Sequence, residues 1–133
     1  MSYSVPHDVV GPGVFLLFGL AAFLIFSTIV LILEAVVLWL LKWGTFNRSL
    51  LSSFLMNLAS TIVGILAVGS LLSGLINNFL AFVLALLLSI LIEGGVLMLM
   101  KRGARRENWR AAVVANVTSY ALFGLFLLFN RFF

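Results

Sequence analysis

Two well-separated stretches of the chain carry nearly the same pattern. Residues 33–44 read LEAVVLWLLKWG, and residues 92–103 read IEGGVLMLMKRG. Their Glu, Lys and final Gly positions coincide, although these residue types are scarce in a chain that is 64% hydrophobic and 9% charged. Chance matches of Leu and Val are expected in such a chain, whereas matches of scarce residues in one register are not. The two stretches therefore predict an internal repeat.

The register that places Glu34 on Glu93 continues beyond these stretches. It also places Asn57 on Asn116 and Ser60 on Ser119. Four apolar runs surround the matched positions, at about 15–42, 49–73, 78–100 and 109–130. Each run has the roughly 20 residues that cross a hydrocarbon core, and a spanning segment satisfies its backbone polar groups best as a helix.

A repeat unit with two spans enters the membrane in the same orientation both times. Two such units are related by a pseudo-two-fold axis along the membrane normal. We therefore predict an all-α integral membrane protein in which four transmembrane helices form a tandem duplication of a two-helix hairpin. It is a single transmembrane domain over residues 1–133, with repeat 1 at about 15–73 and repeat 2 at about 78–130.

Composition agrees with lipid as the main solvent. A soluble domain carries about 25% charged residues, and the mean hydropathy here is +1.28. The formal net charge is +4, and seven of the eight Lys and Arg residues lie in the first and third predicted loops. The positive-inside rule explains this distribution without nucleic acid as a partner. The rule places the first and third loops in the cytoplasm and both termini on the other side. We expect the membrane to be a bacterial inner membrane or an equivalent one.

The third predicted loop is strongly basic. Residues 101–110 read KRGARRENWR, and each cation near an anionic leaflet contributes about 1 kcal/mol of attraction. We expect Trp39, Trp43 and Trp109 near the cytoplasmic interface, where an indole can bury its ring and keep its N–H in water. The residues expected to contact anionic lipid on the cytoplasmic side are Lys101, Arg102, Arg105, Arg106 and Arg110.

Two Glu and two Asn residues lie deep inside the predicted spans. Glu34 precedes Lys42 by eight residues, which places it about 12 Å inside the membrane at 1.5 Å per residue. Asn57 lies at a similar depth in the next span, and Glu93 and Asn116 repeat the arrangement. Since a short loop joins antiparallel neighbours, each hairpin can place a Glu opposite an Asn. We predict that Glu34 pairs with Asn57 and Glu93 with Asn116.

These intramembrane pairs allow two interpretations. A carboxyl group in a span is expensive and often marks a proton, cation or ligand site. Alternatively, a protonated Glu can donate to the Asn carbonyl and accept from its NH₂, which holds two helices together with about 0.6–2 kcal/mol. Stripes of small and polar residues favour the second interpretation, because they place the pairs on helix–helix seams. The stripes are Ser49, Ser53, Asn57 and Thr61, and Ala81, Ala85, Ser89 and Glu93.

No pattern indicates an enzyme. The chain has one His and no Cys, and it contains no metalloprotease, nucleophile-elbow or phosphate-loop motif. We expect no catalytic residue and no metal ligand, and the sequence leaves open whether a cofactor binds. The expected function is that of a small accessory or structural subunit of a larger membrane complex, such as a respiratory or photosynthetic one, with other membrane subunits as partners. The alternative is a small oligomeric proton- or cation-coupled transporter or channel that uses Glu34 and Glu93.

Overall fold

The fold is entirely helical over the part of the chain that the structure describes. The computed structural model describes residues 12–71 and 78–132, and it forms four helices joined in chain order. Pro12 stands at the first position of α1, where its missing N–H costs no hydrogen bond. The predicted turn near 73–78 falls almost wholly outside the described residues. The helices are α1 (Pro12–Leu40), α2 (Phe46–Leu71), α3 (Asn78–Met100) and α4 (Arg105–Phe132).

Three of the four helices are long and apolar enough to cross a membrane. The qualifying segments are Leu16–Leu40, Phe46–Ile65 and Leu80–Met100. The described part of α4 does not qualify, although a fourth span was predicted there. Its first six residues, Arg105–Arg110, carry three arginines and Glu107, and Asn116, Thr118 and Ser119 follow further along the helix.

The helices pack as a closed ring. α1 contacts α2 and α4, and α3 contacts the same two helices. Two short loops, at 41–45 and 101–104, join α1 to α2 and α3 to α4. These loops make antiparallel hairpins of α1 with α2 and of α3 with α4, so the interior of the ring is lined by all four helices.

Burial is inverted relative to a soluble bundle. The fully buried residues include both glutamates and six further Ser and Asn residues, whereas most large hydrophobic side chains are exposed. Along Leu16–Ile25 of α1 every side chain is exposed. Such a surface is stable only where lipid or another membrane subunit covers it. The chain is therefore a helical membrane protein with a polar interior.

The loop end of the ring is closed by an apolar plug. Its buried members come from all four helices and the first loop, and half-buried side chains such as Val37 and Val96 pack against them. Small alanines on α4 let that helix approach closely, as small residues do in membrane bundles. The plug consists of Leu38, Trp43, Met56, Leu97, Ala111, Ala112 and Ala115.

The prediction that the Trp43 N–H faces water is wrong. Its side chain is only 1% exposed, and its Nε1 donates to Asn108 Oδ1 at 2.7 Å rather than to water. The guanidinium of Arg48 and the ammonium of Lys101 lie 5.3 Å and 5.6 Å from the centroid of the indole ring. Both distances suit cation–π attraction. Trp43 thereby ties the first loop to the third instead of facing the membrane surface.

Candidate functional site

The first polar pair lies on the seam between α1 and α2. Asn57 Nδ2 donates to Glu34 Oε2 at 2.6 Å and also to the backbone oxygen of Ser53 at 2.9 Å. The Ser53 hydroxyl crosses the seam as well and donates to the backbone oxygen of Leu31 at 2.8 Å. Glu34 is 1% exposed. Both amide protons of Asn57 are therefore used, one within its own helix and one across to Glu34.

The second pair has the same geometry on the seam between α3 and α4. Asn116 Nδ2 donates to Glu93 Oε2 at 2.6 Å and to the backbone oxygen of Ala112 at 3.0 Å. Glu93 is 2% exposed and Asn116 is 1% exposed. Each glutamate thus lies opposite the asparagine of its own hairpin.

A single bond joins the Glu and Asn side chains in both pairs, from the Asn Nδ2 to the Glu Oε2. In the first pair the Ser53 hydroxyl also lies 3.3 Å from Glu34 Oε2. Within its own hairpin each glutamate is therefore held through Oε2.

The two pairs meet inside the ring. The Ser119 hydroxyl, on α4, lies beside the Glu34 carboxyl. In the opposite direction, the Ser60 hydroxyl, on α2, lies beside Glu93, and the two carboxyls are close enough to interact electrostatically. Each carboxyl is therefore flanked by an Asn of its own hairpin and a Ser of the other. We call Glu34, Asn57, Glu93 and Asn116 the polar layer.

A cavity of about 370 Å³ opens from the polar layer away from the two short loops. All four residues of the polar layer line it, together with residues one to three helical turns further along each helix. Thr61 also lines it and is an exposed residue, so the cavity reaches the surface of the bundle at α2. On the other side of the polar layer, the apolar plug separates it from the loops.

Aromatic rings form the far wall of the cavity. Phe82 packs edge-on against Tyr120 at 5.2 Å between centroids and stacks with Phe123 at 6.3 Å. Phe26 meets Phe123 at 5.4 Å, and the Tyr120 hydroxyl lies 3.2 Å from Ser89 Oγ. We call Phe26, Phe82, Tyr120 and Phe123 the aromatic wall. Three helices contribute to it, and α2 contributes none.

Sequence reasoning missed the aromatic wall entirely. In a chain with 13 Phe, an aromatic residue in a span is the ordinary lipid-facing type, so no pattern marked these four. Their spacing relative to the glutamates along each helix could have identified these aromatic residues. Phe82, Ser89 and Glu93 recur at seven- and four-residue steps of α3, which places them on one helical face.

The chemistry available in the cavity is that of two carboxyls without a neighbouring cation. Among the described residues that line it there is no Lys, Arg or His. Nor do the described residues contain a group of three or more His, Asp or Glu side chains suited to a metal ion. Two carboxyls, together with hydroxyls and aromatic faces, can accept protons or a positively charged ligand.

The basic residues of the third loop lie apart from this cavity. Arg102, Arg105, Arg106 and Arg110 are exposed and so available to a lipid surface. Lys101 differs, because its Nζ donates to the backbone oxygen of Trp43 at 3.0 Å and forms a salt bridge with Glu107. Four of the five predicted lipid contacts are thus free of these loop interactions.

Comparison of the chain with protein-family models, with curated proteins and with solved structures finds no match. Function is therefore inferred from the geometry of the site.

Proposed function

We propose that this protein is a small membrane transporter that binds a cation, in exchange for protons, at Glu34 and Glu93. The observation that carries the proposal is the convergence of both carboxyls on one cavity whose described lining contains no Lys, Arg or His to balance them. Two carboxyls meant only to hold helices together have no need of a shared cavity. A buried acidic pair within a span suits the uptake and release of positive charge.

The cavity also supplies what a path outward requires. Beyond the polar layer it is lined by the hydroxyls of Ser60, Thr61, Ser89 and Tyr120, which can accept from a cation or relay a proton. Thr61 connects this row to the surface of the bundle. The seam stripes had favoured a purely structural role for the glutamates, but several stripe residues line the cavity.

The apolar plug makes the two sides of the polar layer different. On the loop side, Leu38, Met56 and Leu97 are fully buried between the polar layer and the loops. A continuous channel would need a wet path there, so a carrier that opens its two sides in turn is the better model. Release of the cation toward the loops would require the residues of the plug to separate. The moving units would then be the two hairpins, α1 with α2 and α3 with α4.

The proposal includes the full predicted architecture. α4 crosses the membrane as the fourth span, the two hairpins arise by tandem duplication, and the loops face the cytoplasm with both termini outside. Support comes from the ring packing and from the recurrence of the Glu–Asn bond in the second hairpin. In intact cells, Ser4→Cys should label with an impermeant thiol reagent and Asn47→Cys should not. The reverse pattern would invert the topology.

Proton flux in proteoliposomes tests the transport function. Vesicles that hold the protein and a pH-sensitive dye are given an outward gradient of Na⁺, K⁺ or tetramethylammonium. At least one cation should drive proton flux, and Glu34→Gln and Glu93→Gln should each abolish it while the protein still assembles, because Gln can bond to Asn but holds no exchangeable charge. Unchanged flux in these variants, or no flux with any cation, would leave the glutamates as structural residues.

A role as accessory subunit is the second candidate. It is favoured by the exposed apolar residues that surround α1 over Leu16–Ile25, a length of about 15 Å. Another subunit of a respiratory or photosynthetic type of complex could cover this segment in place of lipid. Purification in mild detergent decides between the candidates. Larger subunits in fixed ratio would support the accessory role, and a homo-oligomer alone would support the transporter.

The basic loop is proposed to contact anionic lipid in either role. The four exposed arginines in residues 102–110 motivate this, at about 1 kcal/mol for each charge near the surface. Replacing Arg102, Arg105 and Arg106 with Gln should weaken the preference of the protein for anionic lipid in nanodiscs of mixed composition. An unchanged preference would count against the contact.

A further inference from the structure

We infer that the cation of this cavity is an organic one: a quaternary or protonated amine with an apolar, ring-sized body. This inference rests on the proposed cation site and specifies its substrate class. It follows from the arrangement of the carboxyls at one end of the cavity and the aromatic wall at the other.

The size of the cavity is the first argument. Its volume of about 370 Å³ far exceeds what a bare Na⁺ or K⁺ needs and falls within the roughly 300–1,000 Å³ of small-molecule sites. Metal cations are held by closely placed oxygens, six to eight for Ca²⁺. The described lining offers two carboxyls, two amides and a few hydroxyls spread over several helical turns, which suits a ligand with one charge and an extended body.

The aromatic wall is the second argument. Phe82, Tyr120 and Phe123 present their rings to the same space that the carboxyls enter. Aromatic faces attract ammonium groups by about 0.5–2 kcal/mol each and accept apolar groups equally well. An inorganic cation keeps its water and gains little from such a wall, whereas an amine with a ring gains from both ends of the cavity.

The room in the cavity comes from α2. Ser60, Thr61 and Gly64 are its contributions next to the aromatic wall, and a Cβ atom added at Gly64 would meet nothing within 4 Å. At the corresponding places of the second repeat, α4 carries Ser119, Tyr120 and Phe123. A small face opposite three rings leaves a slot for a planar or branched apolar group.

Charge balance follows from the groups that face the slot. The titratable ones are Glu34 on α1, Glu93 on α3 and Tyr120 on α4, and the part of α2 that lines the cavity has none. With no basic side chain in the described lining, a neutral pair that binds a monovalent amine releases one proton. This stoichiometry is the proton exchange that the proposed function requires.

Binding of tritiated benzyltrimethylammonium to the full chain in nanodiscs tests the inference. Saturable binding is expected, with release of one proton and at least about tenfold weaker affinity in Glu34→Gln and Glu93→Gln, a loss of about 1.4 kcal/mol. Gly64→Phe should abolish binding by filling the slot. Gly124→Phe is the matched control, because its Cβ also meets nothing within 4 Å while the residue does not line the cavity.

The outcomes separate the organic class from the cation site itself. Suppose Na⁺ or K⁺ drives proton flux that the Gln variants lose, but benzyltrimethylammonium does not bind or binds equally well to Gly64→Phe. The organic class is then wrong and the proposed cation site stands. If no cation drives flux and the amine does not bind, both are wrong. Should Gly64→Phe fail to assemble, Gly64→Leu and Phe82→Leu replace it, and unaltered amine affinity in both would overturn the inference.

Discussion

In the hairpin of α1 and α2, Asn57 holds Glu34 at 2.6 Å, and in the hairpin of α3 and α4, Asn116 holds Glu93 at the same distance. Two turns further along, the likeness ends. In the register that places Asn57 on Asn116, Gly64 of α2 corresponds to Phe123 of α4. Both hairpins thus supply a Glu and an Asn to one end of the cavity. At the other end α4 supplies aromatic rings where α2 supplies small residues. A site with two equal carboxyls and one aromatic wall can orient a ligand, which a fully symmetric site could not.

The hairpins also differ at one pair of aligned positions on their seams. A Cβ atom on Gly94 of α3 would lie 2.5 Å from Cζ3 of Trp109 on α4. In the aligned register the first hairpin carries Ala35 and Leu50 at these two positions. The indole ring of the second hairpin thus leaves no room for the methyl group that the first hairpin carries.

The largest expected effect on stability comes from enlarging Gly94 while Trp109 is kept. Gly94→Ala places a methyl group about 2.5 Å from the Trp109 ring, so the ring or one of the two helices must shift, and such overpacking costs about 1–3 kcal/mol. We expect a lowered thermal unfolding temperature in detergent. Gly95→Ala is the control, because its Cβ meets nothing within 4 Å and should be neutral or gain up to about 1 kcal/mol of helix propensity.

Addition of Trp109→Leu to Gly94→Ala should restore part of the lost stability. This double variant gives the second hairpin the Ala and Leu that the first hairpin carries at the aligned positions. If the double variant is as unstable as Gly94→Ala alone, the indole ring is not the obstacle and the comparison of the two seams fails.

A second prediction concerns the contact that ties the hairpins together at the loops. Asn108→Leu leaves the buried Trp43 N–H without its acceptor, at a cost of about 1–3 kcal/mol. Asn108 also donates to the backbone oxygen of Lys101 at 2.8 Å, so the variant should loosen the third loop as well. Hydrogen exchange at the loops and thermal unfolding measure both effects. A silent Asn108→Leu would mean that water serves Trp43 instead.

A third prediction asks whether the two polar pairs are energetically equal. Double-mutant cycles with Leu at Glu34 and Asn57, and at Glu93 and Asn116, should each give a coupling of about 0.6–2 kcal/mol. The two values should agree within about 0.5 kcal/mol, because the bonds have the same length. A clear difference would trace to Ser53, which lies 3.3 Å from Glu34 Oε2 and corresponds to Ala112. Ser53→Ala checks that explanation.

The smallest effect is expected at the loops. Lys42 has a φ of 58° and Gly103 a φ of 85°, so each loop has one left-handed residue, but the two residues do not coincide when Glu34 is aligned with Glu93. A side chain costs about 1–2 kcal/mol in this region. Lys42→Gly should therefore raise stability slightly, and Gly103→Ala should lower it. Equal thermal unfolding temperatures for the two variants would mean that the loops relax without cost.

Part of this molecule follows from periodicity and residue scarcity. Four apolar runs predicted four helices, with bounds within about four residues of those observed. The helical class and the membrane character of three helices are confirmed, while the fourth span and the duplication stay predictions. Scarce residues were informative because a Glu or Asn in an apolar run has few explanations. The placement of each Glu opposite an Asn followed from depth and a short loop alone.

What the sequence by itself determined is therefore the set of helices and the residues that cannot face lipid, because both depend on local spacing and on the cost of polar groups in hydrocarbon. Only the tertiary structure decided that the two polar pairs share one cavity, that Trp43 bonds to Asn108 of the distant helix α4, and that the four residues of the aromatic wall turn toward the cavity. These depend on which helices are neighbours in the ring and on their rotation. Lipid tails are as apolar as the Phe and Leu side chains themselves, so the pattern of Phe and Leu along a span does not reveal which face is inside.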